Sequence, residues 1–334
     1  MFKQVFVERE IQENPRALEI LRKLGNREFE IIEKIEDVFG KVKKPYLQKR
    51  EDLNLFIGIK RGSLVKVAPD AYGLTGEPHF YFIHAYNCIY ECQYCYLQGY
   101  FHSPDLVFFI NHEEICGEIE KNILAASNGV WFHAGEFSDS LALSHLTGEL
   151  PFYFELFKKY PKANLELRTK SVNVSELLKL EPLENVITSI SLSPQEAITE
   201  FDLKTPPLKH RLATISKLYR AGHPVGIHFD PIIFKEDFQD QYRILIDQLN
   251  ESIPLEKIRY LSLGVVRFTK NVYHQMKKNY PNSSLLAEKF TTSFDNKVRY
   301  IRPQRLWILQ TLKKILLEKG LSEEKIYLCM ENDL

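Results

Sequence analysis

The sequence lacks an excess of either charge, an apolar run of membrane length and an even set of cysteines, and each lack removes a class of function. Its 334 residues set 44 Lys and Arg against 44 Asp and Glu, so no global positive field draws the chain to nucleic acid, although local basic surfaces stay open. No apolar run approaches the ~20 residues that cross a bilayer, and the opening MFKQVFVEREIQENPRALEI is charged throughout, without a secretory apolar core. The expectation is a cytoplasmic protein with no membrane partner. Five cysteines cannot all pair, and three of them crowd between positions 88 and 95. That suits a metal site in a reducing compartment better than a disulfide framework. Internal repeats and low-complexity segments are also missing, and the Lys/Glu-rich stretches near the ends read as solvated helix faces.

From about residue 78 onward, apolar runs alternate with longer amphipathic stretches, the pattern of βα units around a parallel sheet. Strands are predicted over Phe80 to Tyr86, Val130 to Phe137, Asn164 to Lys170, Val186 to Ser193, Pro224 to Ile232 and Arg259 to Val266. The intervening helices are predicted over His112 to Ser127, Leu143 to Tyr160, Ser175 to Leu180, Leu208 to Ala221, Asp237 to Glu251 and Lys270 to Tyr280. Gly222 reads as the C-terminal cap of the fourth. The fold class is therefore α/β, a partial (β/α)6 barrel resembling a TIM barrel, spanning residues 78–285. Residues 1–77, with a helical opening at Pro15 to Lys23, read as a small N-terminal appendage. Residues 286–334 read as a closing helix, Arg302 to Lys319, and a short edge strand within Lys325 to Met330.

The densest chemical signal is Asn87-Cys88-Ile89-Tyr90-Glu91-Cys92-Gln93-Tyr94-Cys95-Tyr96-Leu97. Its C-x3-C-x2-C spacing follows the first barrel strand directly. Three thiolates on one short loop can each take one iron of a cubane and leave the fourth iron without a protein ligand. A structural zinc site is the competing reading, with His84 or His102 as a fourth ligand. It is weakened because Cys116 and Cys329 stand alone and no second C-x2-C knuckle exists.

This spacing, with an aromatic residue before the last cysteine and a strand before the first, resembles the radical S-adenosylmethionine (SAM) superfamily. Further segments resemble the spore photoproduct lyase family in particular: Cys95-Tyr96-Leu97-Gln98, Phe109 to Ile115, Ser138-Asp139, Arg168-Thr169-Lys170, Ser191-Leu192-Ser193, Ala221 to Gly226, Pro231-Ile232 and Arg267 to Lys270. The resemblance implies a [4Fe-4S] cluster on Cys88, Cys92 and Cys95. It implies that SAM chelates the open iron and is cleaved to methionine and a 5′-deoxyadenosyl radical, with the electron supplied by a reducing partner such as flavodoxin or ferredoxin. It further implies that Ser138, Lys170 and Ser193, at successive strand ends, reach the methionyl and ribose groups of SAM. Asp230 is a candidate for ribose hydroxyls or for a buried salt bridge, and Asp139 for a helix cap.

One position departs from the family. The resemblance implies a cysteine a few residues before Ser138-Asp139 that returns hydrogen to the product radical, and Glu136 stands there. A carboxylic O–H is too strong to serve, so Glu136 is a candidate for substrate binding or proton acceptance. Cys116, Cys329, Tyr94 and Tyr96 are the candidate substitutes; Tyr94 and Tyr96 also suit a radical relay or packing against the cluster. The expected activity is hydrogen abstraction from a substrate that the sequence does not identify. The alternatives are a lyase that reverses a UV thymine photoproduct with a different hydrogen donor, and a nonenzymatic iron-sulfur or zinc protein. Nucleic acid is a candidate partner through Lys43, Lys44, Arg50, Lys60, Arg61, Arg267, Lys270, Lys277, Lys278, Arg299, Arg302 and Arg305.

Overall fold

A computed structural model describes residues 2–39, 41, 53–69 and 76–331. Its larger sheet has eight strands in the order Ile326–Leu328, Leu261–Val265, Val225–Ile232, Val186–Ser191, Ala163–Thr169, Val130–Ala134, His79–Phe82 and Val65–Val67. All neighbours pair in parallel except Val65–Val67, which runs antiparallel to His79–Phe82. The six expected parallel strands are present, joined by the expected edge strand near the C-terminus. They curl into a partial barrel, and we number the barrel strands one to seven from His79–Phe82 to Ile326–Leu328.

Helices His112–Ala125, Leu150–Lys159, Leu208–Arg220, Phe238–Ser252 and Arg302–Glu318 join and flank these strands. Strands two, four and six are buried along their whole length, which is why they read as near-continuous apolar runs rather than alternating ones. The main apolar core lies between this sheet and the helices, with Phe132, Leu165, Ile190, Ile227, Ile246 and Leu309 among its fully enclosed members. Gly222 ends the helix Leu208–Arg220 at φ 84, as its sequence position indicated.

Several elements differ from the sequence-based expectation. The helix expected over Leu143 to Tyr160 is two helices, Ser144–Thr147 and Leu150–Lys159, because Gly148 takes φ 69 and ends the first. Ser175 to Leu180 forms only a 3-10 turn, Leu177–Lys179. A helix over Gln195–Phe201, started after Pro194, was not anticipated.

The strand expected over Phe80 to Tyr86 also divides. After Phe82 the chain leaves the barrel sheet, and Ala85–Tyr86 pairs antiparallel with Leu106–Phe109. These two strands belong to a second sheet, ordered Glu30–Ile32, Val5–Glu8, Leu55–Gly58, Leu106–Phe109, Ala85–Tyr86. Sheet pairing thus crosses the division proposed at residue 77, at Leu55–Gly58 with Leu106–Phe109 and at Val65–Val67 with His79–Phe82.

At the start of the helix Leu150–Lys159, Glu149 is only 2% exposed and its Oε2 has no hydrogen-bond partner among the described residues. Burial pushes its carboxyl up to about 7 from an ordinary 4.5. A raised acid favours the folded state fully below pH 4.5, and that contribution is lost as pH rises to about 7. Glu149→Gln removes the ionisation cost. At pH 8 the variant is expected to be more stable than the natural protein, by up to about 3 kcal/mol for a shift of this size, and the gap should close by pH 5 in urea melts.

Candidate active site

A cavity of about 420 Å³ opens at the carboxyl ends of the barrel strands, the end where parallel barrels gather ligands. Cys88, Cys92 and Cys95 all line it. The loop that carries them is anchored at its start by Asn87, which takes φ 62 and donates from Nδ2 to the carbonyls of Ser103 and Asp105, both at 2.7 Å. A turn from Cys95 N to the Cys92 carbonyl, 3.0 Å, sets the spacing of the last two cysteines. Burial drives the Cys92 thiol well above its usual pKa, so binding iron as thiolate must release its proton. Among the described residues no three His, Cys, Asp or Glu close on a single ion. Three thiols spread along one cavity fit a cluster in which each thiolate would bind a different iron.

Strand two ends at a tight turn that only glycine fits. Gly135 has φ 88, and a Cβ there would lie 2.5 Å from Ser140 Oγ. The turn brings Glu136, Ser138 and Asp139 to the cavity wall. Ser138 Oγ donates to the Asn87 carbonyl at 2.6 Å, tying this turn to the cysteine loop. Asp139 does more than cap: Oδ1 accepts from Leu141 N, Ala142 N and Thr169 Oγ1, and Oδ2 accepts from Lys170 N at 2.8 Å. It therefore clamps strand two to strand three.

Lys170 lines the cavity with its Nζ 5.6 Å from the centre of the Tyr94 ring. Burial alone would lower its pKa, but Asp202 and Cys92 outweigh that and hold it raised, so the ammonium stays charged. The Tyr94 hydroxyl donates to Asp202, which also takes a 3.1 Å ion pair from the fully buried Arg211. The Tyr96 hydroxyl donates to the Glu136 carbonyl. Both tyrosines and Glu136 line the cavity.

Asp230 lines the cavity as half of a salt bridge: Arg267 Nη1 and Nη2 reach its two oxygens at 3.0 Å each. Its carboxyl stays far below the usual range, because Arg267 overcomes the opposing effect of burial. Gly264 on strand six makes the room, since a Cβ there would lie 2.6 Å from the Asp230 carboxyl carbon. Ser193 is buried, and at this strand end the cavity is lined by Ser191 instead.

A buried polar system lies directly beneath the cavity. The Glu166 carboxylate accepts from His133 Nδ1 at 2.5 Å, Arg168 Nη2 at 3.1 Å, Ser189 Oγ at 2.7 Å, His228 Nε2 at 2.6 Å and the Tyr260 hydroxyl at 2.6 Å. Burial would raise its pKa, but Arg168, His228 and His133 hold it well below the usual range. Arg168 and His228 in turn line the cavity. The sequence reading passed over Glu166, although the signal was present: Glu166 and Arg168 alternate with Leu165, Leu167 and Thr169 on one strand and so share a face, and Lys170 follows directly after its end.

The family model for spore photoproduct lyase matches residues 1–307. The chain belongs to the spore photoproduct lyase family. Among curated proteins of this family, the lyase of Bacillus subtilis is 30% identical over 205 residues, 60% of each chain. That of Clostridium acetobutylicum is 21% identical over 293 residues, 85% of this chain and 84% of the other. The match to the first thus spans less than two thirds of either protein. A solved spore photoproduct lyase complexed with dinucleoside spore photoproduct superposes with a TM-score of 0.83, at 23% identity and 98% coverage of both chains. A mutant with bound AdoMet and the same dinucleoside gives 0.82 at 22% identity, covering 99% of both. At that identity the two structures establish the shared fold, a partial α/β barrel.

Several of the basic residues noted in the sequence are already paired with carboxylates. Lys43, Lys44 and Arg50 lie outside the described residues. Arg267 is bound to Asp230, while Arg299 and Arg305 are buried against Glu331 at 3.2 and 2.5 Å. Lys270, Lys277, Lys278 and Arg302 are exposed. Among the described residues no helix is long and apolar enough to cross a membrane.

Glu166→Ala would strand an Arg, two His, a Tyr and a Ser in the barrel interior. The expected loss is about 3–5 kcal/mol, the cost of breaking a buried charge pair, read as a lower urea midpoint at pH 7. Glu166→Gln, which keeps the shape but not the charge, should lose less.

Proposed function

We propose that this protein is a DNA repair lyase that uses radical SAM chemistry to reverse the spore photoproduct, a UV-induced thymine dimer. The observation that carries the reading is a single cavity lined by the three motif cysteines and a charged lysine, in a chain whose family model runs through residue 307. In this reading Cys88, Cys92 and Cys95 hold a [4Fe-4S] cluster, which when reduced supplies the electron for SAM cleavage. A partner of the flavodoxin or ferredoxin class delivers that electron in the cytoplasm.

The chain's own groups prepare the site. The Lys170 ammonium faces the SAM carboxylate. Ser138 and Ser191, both on the cavity wall, serve the methionyl and ribose groups, Ser191 taking the part expected of Ser193. Asp230, ionised and oriented by Arg267, keeps lone pairs for ribose hydroxyls. The buried barrel floor under Glu166 excludes water from the radical. Glu136 faces the substrate through a turn fixed by Gly135 and Tyr96.

The test is anaerobic reconstitution with iron and sulfide, reduction with SAM, and assay of 5′-deoxyadenosine with and without dinucleoside spore photoproduct. Formation of 5′-deoxyadenosine with loss of the dinucleoside is expected. A well-formed cluster that gives neither product with any reductant sinks the reading. Cys92→Ala should abolish the cluster, whereas Cys116→Ala should leave cluster and cleavage intact. Lys170→Met should raise the KM for SAM about 10–100-fold, the value of one hydrogen bond to a charged group.

A further inference from the structure

Resting on the lyase reading, the geometry points to Cys329 as the hydrogen-atom donor that quenches the substrate-derived carbon radical. A carbon radical in a closed cavity ends by taking the most weakly held hydrogen within reach, and a thiol S–H is weaker than the C–H bond it makes. The cavity wall contains four cysteines. Three are committed to the cluster in this reading, and the fourth is Cys329.

Its placement is built, not incidental. Cys329 follows the seventh barrel strand, Ile326–Leu328, and its N donates to the Leu263 carbonyl at 2.8 Å, extending the pairing with strand six. That strand is one end of the barrel sheet, whereas the cysteine loop follows strand one near the other end. The curl of the sheet brings both ends to the same cavity. The side chain is 2% exposed, and Arg267 Nη2 donates to its Sγ at 3.3 Å. Arg267 is itself held by both oxygens of Asp230 and by the Val265 carbonyl, so the sulfur meets a fixed neighbour. Burial pushes the thiol up to about 12, which keeps the S–H intact at neutral pH; a thiolate would have no hydrogen to give.

The competitors are placed less well. Cys116 lies on the helix His112–Ala125 and does not line the cavity. The Tyr94 hydroxyl donates to Asp202 and the Tyr96 hydroxyl to the Glu136 carbonyl, whereas Cys329 meets Asp230 through an S–H, a weak donor that is more easily released.

The step balances. The S–H bond breaks homolytically, a C–H bond forms on the product, and a thiyl radical remains on Cys329. One electron from the low-potential donor that reduces the cluster, with one proton from solvent, restores the thiol.

The experiment runs the reconstituted protein, Cys329→Ala, Cys329→Ser and Cys116→Ala on dinucleoside spore photoproduct in D2O. Because a thiol hydrogen exchanges with solvent, the natural protein and Cys116→Ala should place one deuterium in the repaired product. In Cys329→Ala and Cys329→Ser the yield of repaired product per 5′-deoxyadenosine should fall at least tenfold, with the radical diverted into adducts seen by mass spectrometry. The cluster EPR spectrum and SAM affinity, measured without turnover, should match the natural protein and so exclude misfolding. Wild-type yield and labelling in Cys329→Ser overturn the assignment while leaving the lyase reading in place. Failure of the natural protein to consume the dinucleoside removes both.

Discussion

One carboxylate organises the barrel. Glu166, on strand three, accepts hydrogen bonds from side chains of strand two (His133), its own strand (Arg168), strand four (Ser189), strand five (His228) and the approach to strand six (Tyr260). An acceptor-only group at that point fixes the tautomers: His133 must carry its proton on Nδ1 and His228 on Nε2. Five donors around one charge give the interior a unique arrangement, where an all-apolar filling would tolerate many. Arg168 supplies the balancing charge and, with His228, extends the same network into the cavity floor. The strand ends that carry Ser138, Lys170 and Asp230 therefore stand in fixed relation before any ligand arrives.

Above that floor the cavity is assembled from pairwise ties rather than from one element. Asn87 joins the cysteine loop to Ser138, Asp139 joins strand two to Lys170, Asp202 joins Tyr94 to Arg211, and Arg267 joins Asp230 to Cys329. Each tie consists of a charge or amide satisfied across two segments distant in sequence. Such groups hold geometry at modest net stabilisation, because every one of them has first been taken out of water.

The barrel was legible in the sequence because strands buried on both faces are continuous apolar runs, and the runs near Val130, Val186 and Leu261 leave little else to read. The cysteine loop was legible because its spacing is local. Two kinds of feature were not. Boundaries decided by backbone conformation escaped: Gly148 divides one amphipathic stretch into two helices, and the chain changes sheets after Phe82 although the run to Tyr86 looks uniform. Long-range polar pairing escaped as well. Nothing local distinguishes Arg267, bound to Asp230, from a surface arginine, and Arg299 and Arg305 read as part of a basic face until Glu331 and Asp295 are seen to pair with them. Glu166 lies between these cases, since alternation with leucines marks it as inward-facing but does not name its five donors.

The sheet change after Phe82 ties the cluster loop to the N-terminal region. Ala85–Tyr86 is the last paired segment before Cys88, and it is held by Leu106–Phe109, which is held in turn by Leu55–Gly58. The N-terminal strands are thus linked, strand by strand, to the backbone just ahead of Cys88. The position of the first motif cysteine therefore depends on the second sheet as much as on the barrel, so the two sheets share the building of one cavity wall.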